Sequence, residues 1–292
     1  MTTALAPARP AAGARRATFA TFAALAARET RRFALNPVFL FAVALAAWTT
    51  LYGAGTAVTE IDSANPYPAG FFGGFGMMTT FWLTRSMRAS EPVVGVTPVT
   101  QPARTAALCA VAVVPFACGC LTLLAFLQFH PVSDPVYGPF SPSARIAILV
   151  GQIVVPSLGG PLLGVALGRW VRFPGAAFVL FLILYGWLNL VTLLTVFRPD
   201  SAAVAVLRLF APFAFFTLHS DAGGVTAWRG SPWFFIGWQL ALCVIAVLVA
   251  LLRGAEGPVR ARIICALAIA GAAALVLLVL AGTGGFTHAV TG

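Results

Sequence analysis

The chain has no lysine. All 18 of its basic residues are arginine, set against eight acidic residues, and the formal net charge is +10. A phosphate-binding loop of the Gly-x-x-x-x-Gly-Lys kind needs its lysine to reach the nucleotide phosphates, so the chain holds no such loop. Charge of either sign is scarce: 9% of residues, where soluble domains carry about a quarter, and 60% are hydrophobic. With a mean hydropathy of +0.94, this composition is that of an integral membrane protein. A basic excess suits nucleic acid only on a soluble basic surface. Here the arginines flank apolar runs, where membrane topology puts them, and no nucleic-acid partner is expected.

Other absences narrow the chemistry. The five cysteines (Cys109, Cys118, Cys120, Cys243, Cys265) show no Cys-x-x-Cys spacing, which argues against a disulfide framework or a zinc site. None of the eight acidic residues and none of the three histidines falls at the centre of an apolar run. Ionisable groups there mark proton relays and ion pathways, so a proton-coupled transporter is not expected. An intramembrane hydrolase would lack a base to activate serine or water. For an enzyme acting on lipid, only His130 and Asp134, four residues apart on a loop, are suggestive. A non-transporting membrane anchor or immunity-type protein is the other alternative. No metal or cofactor is expected in this chain.

What is present is a series of apolar runs of membrane-crossing length, roughly 17–25 residues. Seven are read: 38–55, 70–83, 106–129, 146–168, 173–197, 233–252 and 263–281. Ahead of them, 1–14 is an Ala- and Pro-rich tail expected to be disordered. Residues 15–36 are expected to form a cytoplasmic amphipathic helix, not a cleavable signal. Phe19, Phe22, Leu25, Ala26 and Phe33 share one arc, and Arg16, Arg28, Arg31 and Arg32 the other. Such a helix lies in the membrane interface with its apolar arc in the lipid. Asn36 then caps a new helix whose first turn holds Pro37.

Orientation follows from the arginines. Six precede Pro37, so the amino terminus is expected in the cytoplasm. Alternation then puts 14 of the 18 inside and leaves Arg145, Arg198, Arg208 and Arg229 outside. The stretch 202–218 is nearly long enough to cross but contains Arg208 and Pro212. The segment 198–231 is therefore expected to be an outer re-entrant or surface-lying helical hairpin. Within the spans, Asn189, Thr192 and Thr195 recur at three-residue intervals, and Gln239 adds an amide in the sixth. They either line a pathway for an amphipathic or lipid-like substrate or hydrogen-bond between helices. Gly160, Gly164 and Gly168 make a small-x-x-x-small stripe suited to close helix packing, within the fold or in a dimer.

Between the second and third spans lies a charged, proline-punctuated island, "TRSMRASEPVVGVTPVTQPART". This loop and "LAARETRRFALNPVFLFAVALAAW" carry a resemblance to the permease subunits of ABC-2 type transporters. In those, a Glu/Arg-rich connecting helix runs into Asn-Pro and the first span. Their cytoplasmic loop places an acidic residue before a Thr-Pro-Val element and a basic residue at the third span. Here these are Glu91, Thr97-Pro98-Val99 and Arg104. The resemblance covers roughly residues 17–252. It departs in a reduced charged cluster, "RSMRASE", and in a seventh span beyond the family's six.

The resemblance implies an all-α polytopic bundle with a six-span permease core over 37–252, followed in 253–292 by a cytoplasmic loop, the extra span and an outer tail. It implies an exporter subunit paired with a second copy or a paralogue; arginine without lysine, with high alanine, points to a GC-rich bacterial genome and so to the bacterial cytoplasmic membrane. A separate ATP-binding-cassette ATPase would carry ATP and Mg. The loop 85–104 would be the coupling loop, and Glu29, Arg32, Arg88, Glu91, Thr97 and Arg104 the contacts to that ATPase.

Overall fold

The corner at Asn36 forms because its side chain replaces a missing helical bond. Asn36 Oδ1 accepts from the Val38 N–H at 2.9 Å, and Pro37 opens the next helix with no N–H to satisfy. The computed structural model describes residues 12–55, 70–89, 100–129, 141–197, 201–211, 217–219, 224–228, 230–283 and 286–290. Helix α1 (Ala12–Ala34) and helix α2 (Pro37–Gly55) meet there at 61°. Phe33 and Phe39, both buried, brace the corner with ring centroids 4.4 Å apart. Most of the expected tail, 1–11, lies outside the described residues.

The chain continues through a π-helical turn, Gly70–Phe75, into α3 (Gly76–Ala89). Next come α4 (Gln101–Ala110) and α5 (Val113–Phe129). A continuous helix follows, made of α6 (Pro142–Leu149), a second π turn (Val150–Val154) and α7 (Val155–Trp170). Then come α8 (Ala176–Phe197), the short α9 (Ala202–Leu209), α10 (Pro232–Leu252) and α11 (Gly257–Gly282). Among the described residues, four helices are long and apolar enough to cross a membrane: Gln101–Gln128, Pro142–Trp170, Pro232–Leu252 and Gly257–Gly282. Counting the bent pair α1–α2 as one span makes five. The expected spans 70–83 and 173–197 are helical, as the first π turn with α3 and as α8, but do not meet that measure among the described residues. The protein is thus a multi-span helical membrane protein.

One element departs from an all-helical chain. Strands β1 (Thr217–His219), β2 (Gly224–Trp228) and β3 (Phe286–Val290) form an antiparallel sheet in the order β1-β2-β3, with Thr226 opposite His288. The expected helical hairpin is therefore a single short helix followed by strands. The cause is local: α9 stops ahead of Pro212, which cannot continue a helix, and Thr217, Val225, Thr226 and Trp228 favour a pleated surface. Because β3 follows α11, the far end of that helix lies at the same end of the bundle as the 217–228 strands.

A second departure concerns α1. Its apolar arc is turned toward protein: Phe22, Leu25 and Ala26 are half-buried, Phe33 is buried, and α1 packs against α4. Glu29 shares that inward side, whereas Arg28, Arg31 and Arg32 are exposed. Phe33 packs in one cluster with Leu108 and Cys109 of α4, so the helix is docked on the bundle along this side.

Helix α7 is the central post. Within Pro142–Trp170, 67% of the most apolar 18-residue stretch is buried, against 11% of that in α11. Its stripe of glycines lies on the first π turn and α3, in parallel: a Cβ at Gly160 would strike the Gly73 backbone, one at Gly164 the Met77 carbonyl and Thr80 Oγ1, and one at Gly168 the Thr84 Cβ at 2.7 Å. Between them the Thr80 hydroxyl donates to the Pro161 carbonyl at 2.8 Å. Gly164→Leu is therefore expected to destabilise the protein by at least the ~1–3 kcal/mol typical of overpacking. Gly186→Leu on α8, where an added Cβ meets nothing within 4 Å, is expected to be neutral or slightly stabilising. Thermal unfolding in detergent micelles compares the two.

Candidate functional site

The last turn of a helix leaves carbonyls without intrahelical donors, at the negative end of its dipole. At the end of α7 those carbonyls are collected by arginines from two neighbours. Arg88 Nη1 donates to the carbonyls of Gly168 at 3.1 Å and Arg169 at 3.2 Å. Arg253 Nη1 donates to the Trp170 carbonyl at 3.2 Å, and Arg85 Nη1 to that of Arg172 at 2.6 Å. Trp170 answers across the same junction, its indole donating to the Val249 carbonyl at 2.8 Å while the Arg253 guanidinium sits 5.5 Å over its ring. Arg169 is 2% exposed and donates to Gln101 Oε1 at 2.5 Å. Helices α3, α4, α7 and α10 are thereby tied at one end of the bundle.

Beside this knot sits α1. Its Glu29 carboxylate, at the buried limit, accepts from Arg32 Nη1 at 3.0 Å, and the Arg32 side chain remains 45% exposed. Arg104 stands on α4, the helix that α1 packs against. The residues foreseen at a partner contact thus separate. Glu29, Arg32 and Arg104 are carried by two adjoining helices, while Arg88 is turned inward as a helix cap. Glu91 and Thr97 lie outside the described residues, as do His130 and Asp134. Nothing in the sequence spacing announces the cap, since it depends on α3 and α7 ending level with each other.

Deeper in the bundle, an apolar cavity of about 310 Å³ lies between the first π turn, α7, α8 and α10. Its glycine wall is Gly70, Gly73 and Gly74 on one side and Gly159 and Gly160 on another; Phe181, Leu184 and Tyr185 of α8 face them. Gln239 lines it too, held by a hydrogen bond from its Nε2 to the Gly151 carbonyl at 2.9 Å. That carbonyl lies in the second π turn, where the wider ladder leaves backbone groups for side chains. Such turns are frequent at functional sites, and the glycines of "GFFGGF" were the available signal for the first. Asn189 is not among the lining residues: it is exposed, and its amide donates back to the Tyr185 carbonyl at 2.7 Å. The side chains of Thr192 and Thr195 lie outside the described ones. Among the described residues, no group of three or more His, Cys, Asp and Glu side chains gathers.

Replacing Arg88 by Gln removes a cation from two carbonyls at a helix end. Hydrogen bonds to charged groups contribute about 1.5–3 kcal/mol, so Arg88→Gln is expected to lower the unfolding temperature clearly, with Arg88→Lys intermediate because its ammonium keeps the charge but is more strongly hydrated than a guanidinium. Thermal unfolding in detergent micelles, followed by circular dichroism, measures the shift. No protein-family model matches the chain, nor does any curated protein or solved structure, so the chemistry of the site rests on its own residues.

Proposed function

We propose that this chain is the membrane-spanning subunit of an ABC-2 type transporter, an exporter driven by a separate ATP-binding-cassette ATPase that carries ATP and Mg. The observation that supports this most is the docking of α1 on α4. It sets the connecting helix, with its exposed Arg32 beside a buried Glu29, next to a stem of the loop that contains Glu91 and Thr97. In the family such a helix and loop together receive the ATPase. The knot of arginines on the last carbonyls of α7 would then pass a push at that end into α3, α7 and α10 together. Two copies, or this chain with a paralogue, complete the pathway. The arginine-rich end faces the cytoplasm, with the amino terminus there, and the bacterial cytoplasmic membrane is the location.

Topology gives a direct check. In a cysteine-free background, Gly95→Cys should be labelled by a membrane-impermeant maleimide only from the cytoplasmic side, and Val136→Cys only from outside. Labelling of both from one side would contradict the alternating arrangement.

The coupling reading predicts a gene for an ABC-type ATPase beside this one, and that ATPase serves in its test. The chain alone is expected to show no photo-cross-linking to micromolar ATP, and co-purification with that ATPase should follow from co-expression. Glu91→Arg should weaken association or uncouple hydrolysis from transport. Breaking a partly buried charged contact costs about 2–5 kcal/mol, whereas an exposed pair contributes about 0–1 kcal/mol. Asp134→Arg on the opposite loop is the control. Equal transport by both variants would leave the loop as topology punctuation only.

A further inference from the structure

We infer that the cavity between the first π turn, α7, α8 and α10 is a binding site for one acyl chain of a bilayer lipid. The inference uses only the membrane-spanning character of α7 and α10 and stands apart from any ATPase partner. Three observations carry it.

The first is volume against polarity. Protein interiors leave few voids larger than a water molecule, and this one holds about 310 Å³, in the lower part of the range of ligand sites, ~300–1,000 Å³. Its walls are almost wholly glycine, aliphatic and aromatic. An apolar cavity of this kind excludes water and accepts hydrocarbon.

The second is length. Along α10 the lining residues run from Gln239 to Val249, about 15 Å at 1.5 Å per residue. The hydrocarbon core of a bilayer is about 30 Å thick, so the trough is as deep as one leaflet, and one leaflet is one acyl chain deep. A second protein helix, about 10 Å across with its side chains, is too wide for a trough of this volume.

The third is access. Leu188 of α8 and Trp238 of α10 belong to one buried cluster, which holds these helices together at one end of the cavity. Beyond it Phe181, Leu184 and Tyr185 line the cavity; Tyr185 is also 47% exposed, and Leu182 and Ile183 of the same helix are exposed. A single helix therefore separates the cavity from the surrounding lipid, whose chains are the most concentrated hydrocarbon present.

The test uses the full chain in nanodiscs of phosphatidylethanolamine and phosphatidylglycerol, with a trace of phospholipid bearing a mid-chain diazirine. After photolysis, peptide mass spectrometry is expected to find adducts on Leu163 and Leu242 inside the cavity as well as on outward Leu182. Gly70→Trp, where an added Cβ meets nothing within 4 Å, and Leu184→Trp fill the space from opposite walls, so misfolding of one leaves the other. Each should lower the inner adducts about tenfold relative to the outer ones, since every excluded methylene forfeits transfer free energy. Leu182→Val on the outer face should leave the inner adducts unchanged. A free fatty acid with the same diazirine, supplied as competitor, should reduce the inner adducts only weakly if the resident is a bilayer lipid. Strong displacement by it would reassign the site to a free acyl ligand. Adducts confined to outward residues, equal inner labelling in filled and control proteins, or capture of a second copy of the chain by a photoreactive side chain at position 163 would each overturn the inference.

Discussion

Gly160, Gly164 and Gly168 let α7 lie backbone against backbone on the first π turn and α3, and the arrangement around them depends on that approach. Within lipid there is no hydrophobic gain from bringing helices together, so association relies on dispersion, on interhelical hydrogen bonds and on small residues that allow both. At this contact the two act together. Gly164 leaves room for Met77 and Thr80, and Thr80, fully buried, places its hydroxyl on the Pro161 carbonyl across the junction. A larger residue in the stripe would remove the dispersion and the hydrogen bond at once.

The parallel register has a further consequence at the arginine-rich end. Since Gly160 meets Gly73 and Gly168 meets Thr84, the two helices end almost level, and Arg85 and Arg88 arrive beside the unpaired carbonyls of α7. Cations are favoured at a helix C-terminus, and here the arginines also supply the missing donors. Arg253 closes the same end from α10. Positive charge at this end therefore holds three helices in step. A displacement of the α3 end must move α7 with it or break charge-assisted bonds.

Much of this was legible from the sequence in outline and little of it in detail. The apolar runs announced the helices, and Asn36-Pro37 marked a corner whose capping bond is present. Arginines 85, 88, 169, 172 and 253, grouped by alternation along the chain, do meet at one end of the bundle. The small sheet was missed because its strands are three and five residues long and are drawn from distant segments, so no local period reveals their pairing. The amphipathic arc of α1 was visible, but a periodicity of 3.6 cannot say whether lipid or α4 covers it. Gln239 was picked out as an amide within a span; its partner, the Gly151 carbonyl, depends on a π turn that hydropathy does not register.

The same lack of side chains that draws α3 onto α7 also opens the space beside them. Gly70, Gly73 and Gly74 present bare backbone toward α8, and the Phe181 ring already occupies the position that a Cβ on Gly74 would need. Above the cavity α8 is joined to α10 through the cluster of Leu188 and Trp238, but along Phe181, Leu184 and Tyr185 it faces the void. Local stability follows the density of buried contacts. A stiff unit of α3, α7 and α10, bonded through its backbone ends, is thus set against a helix with little to hold it over much of its length. A swing of α8 about its Leu188 end would leave the glycine contact intact but would pull on Arg172, whose carbonyl accepts from Arg85 four residues before the helix begins.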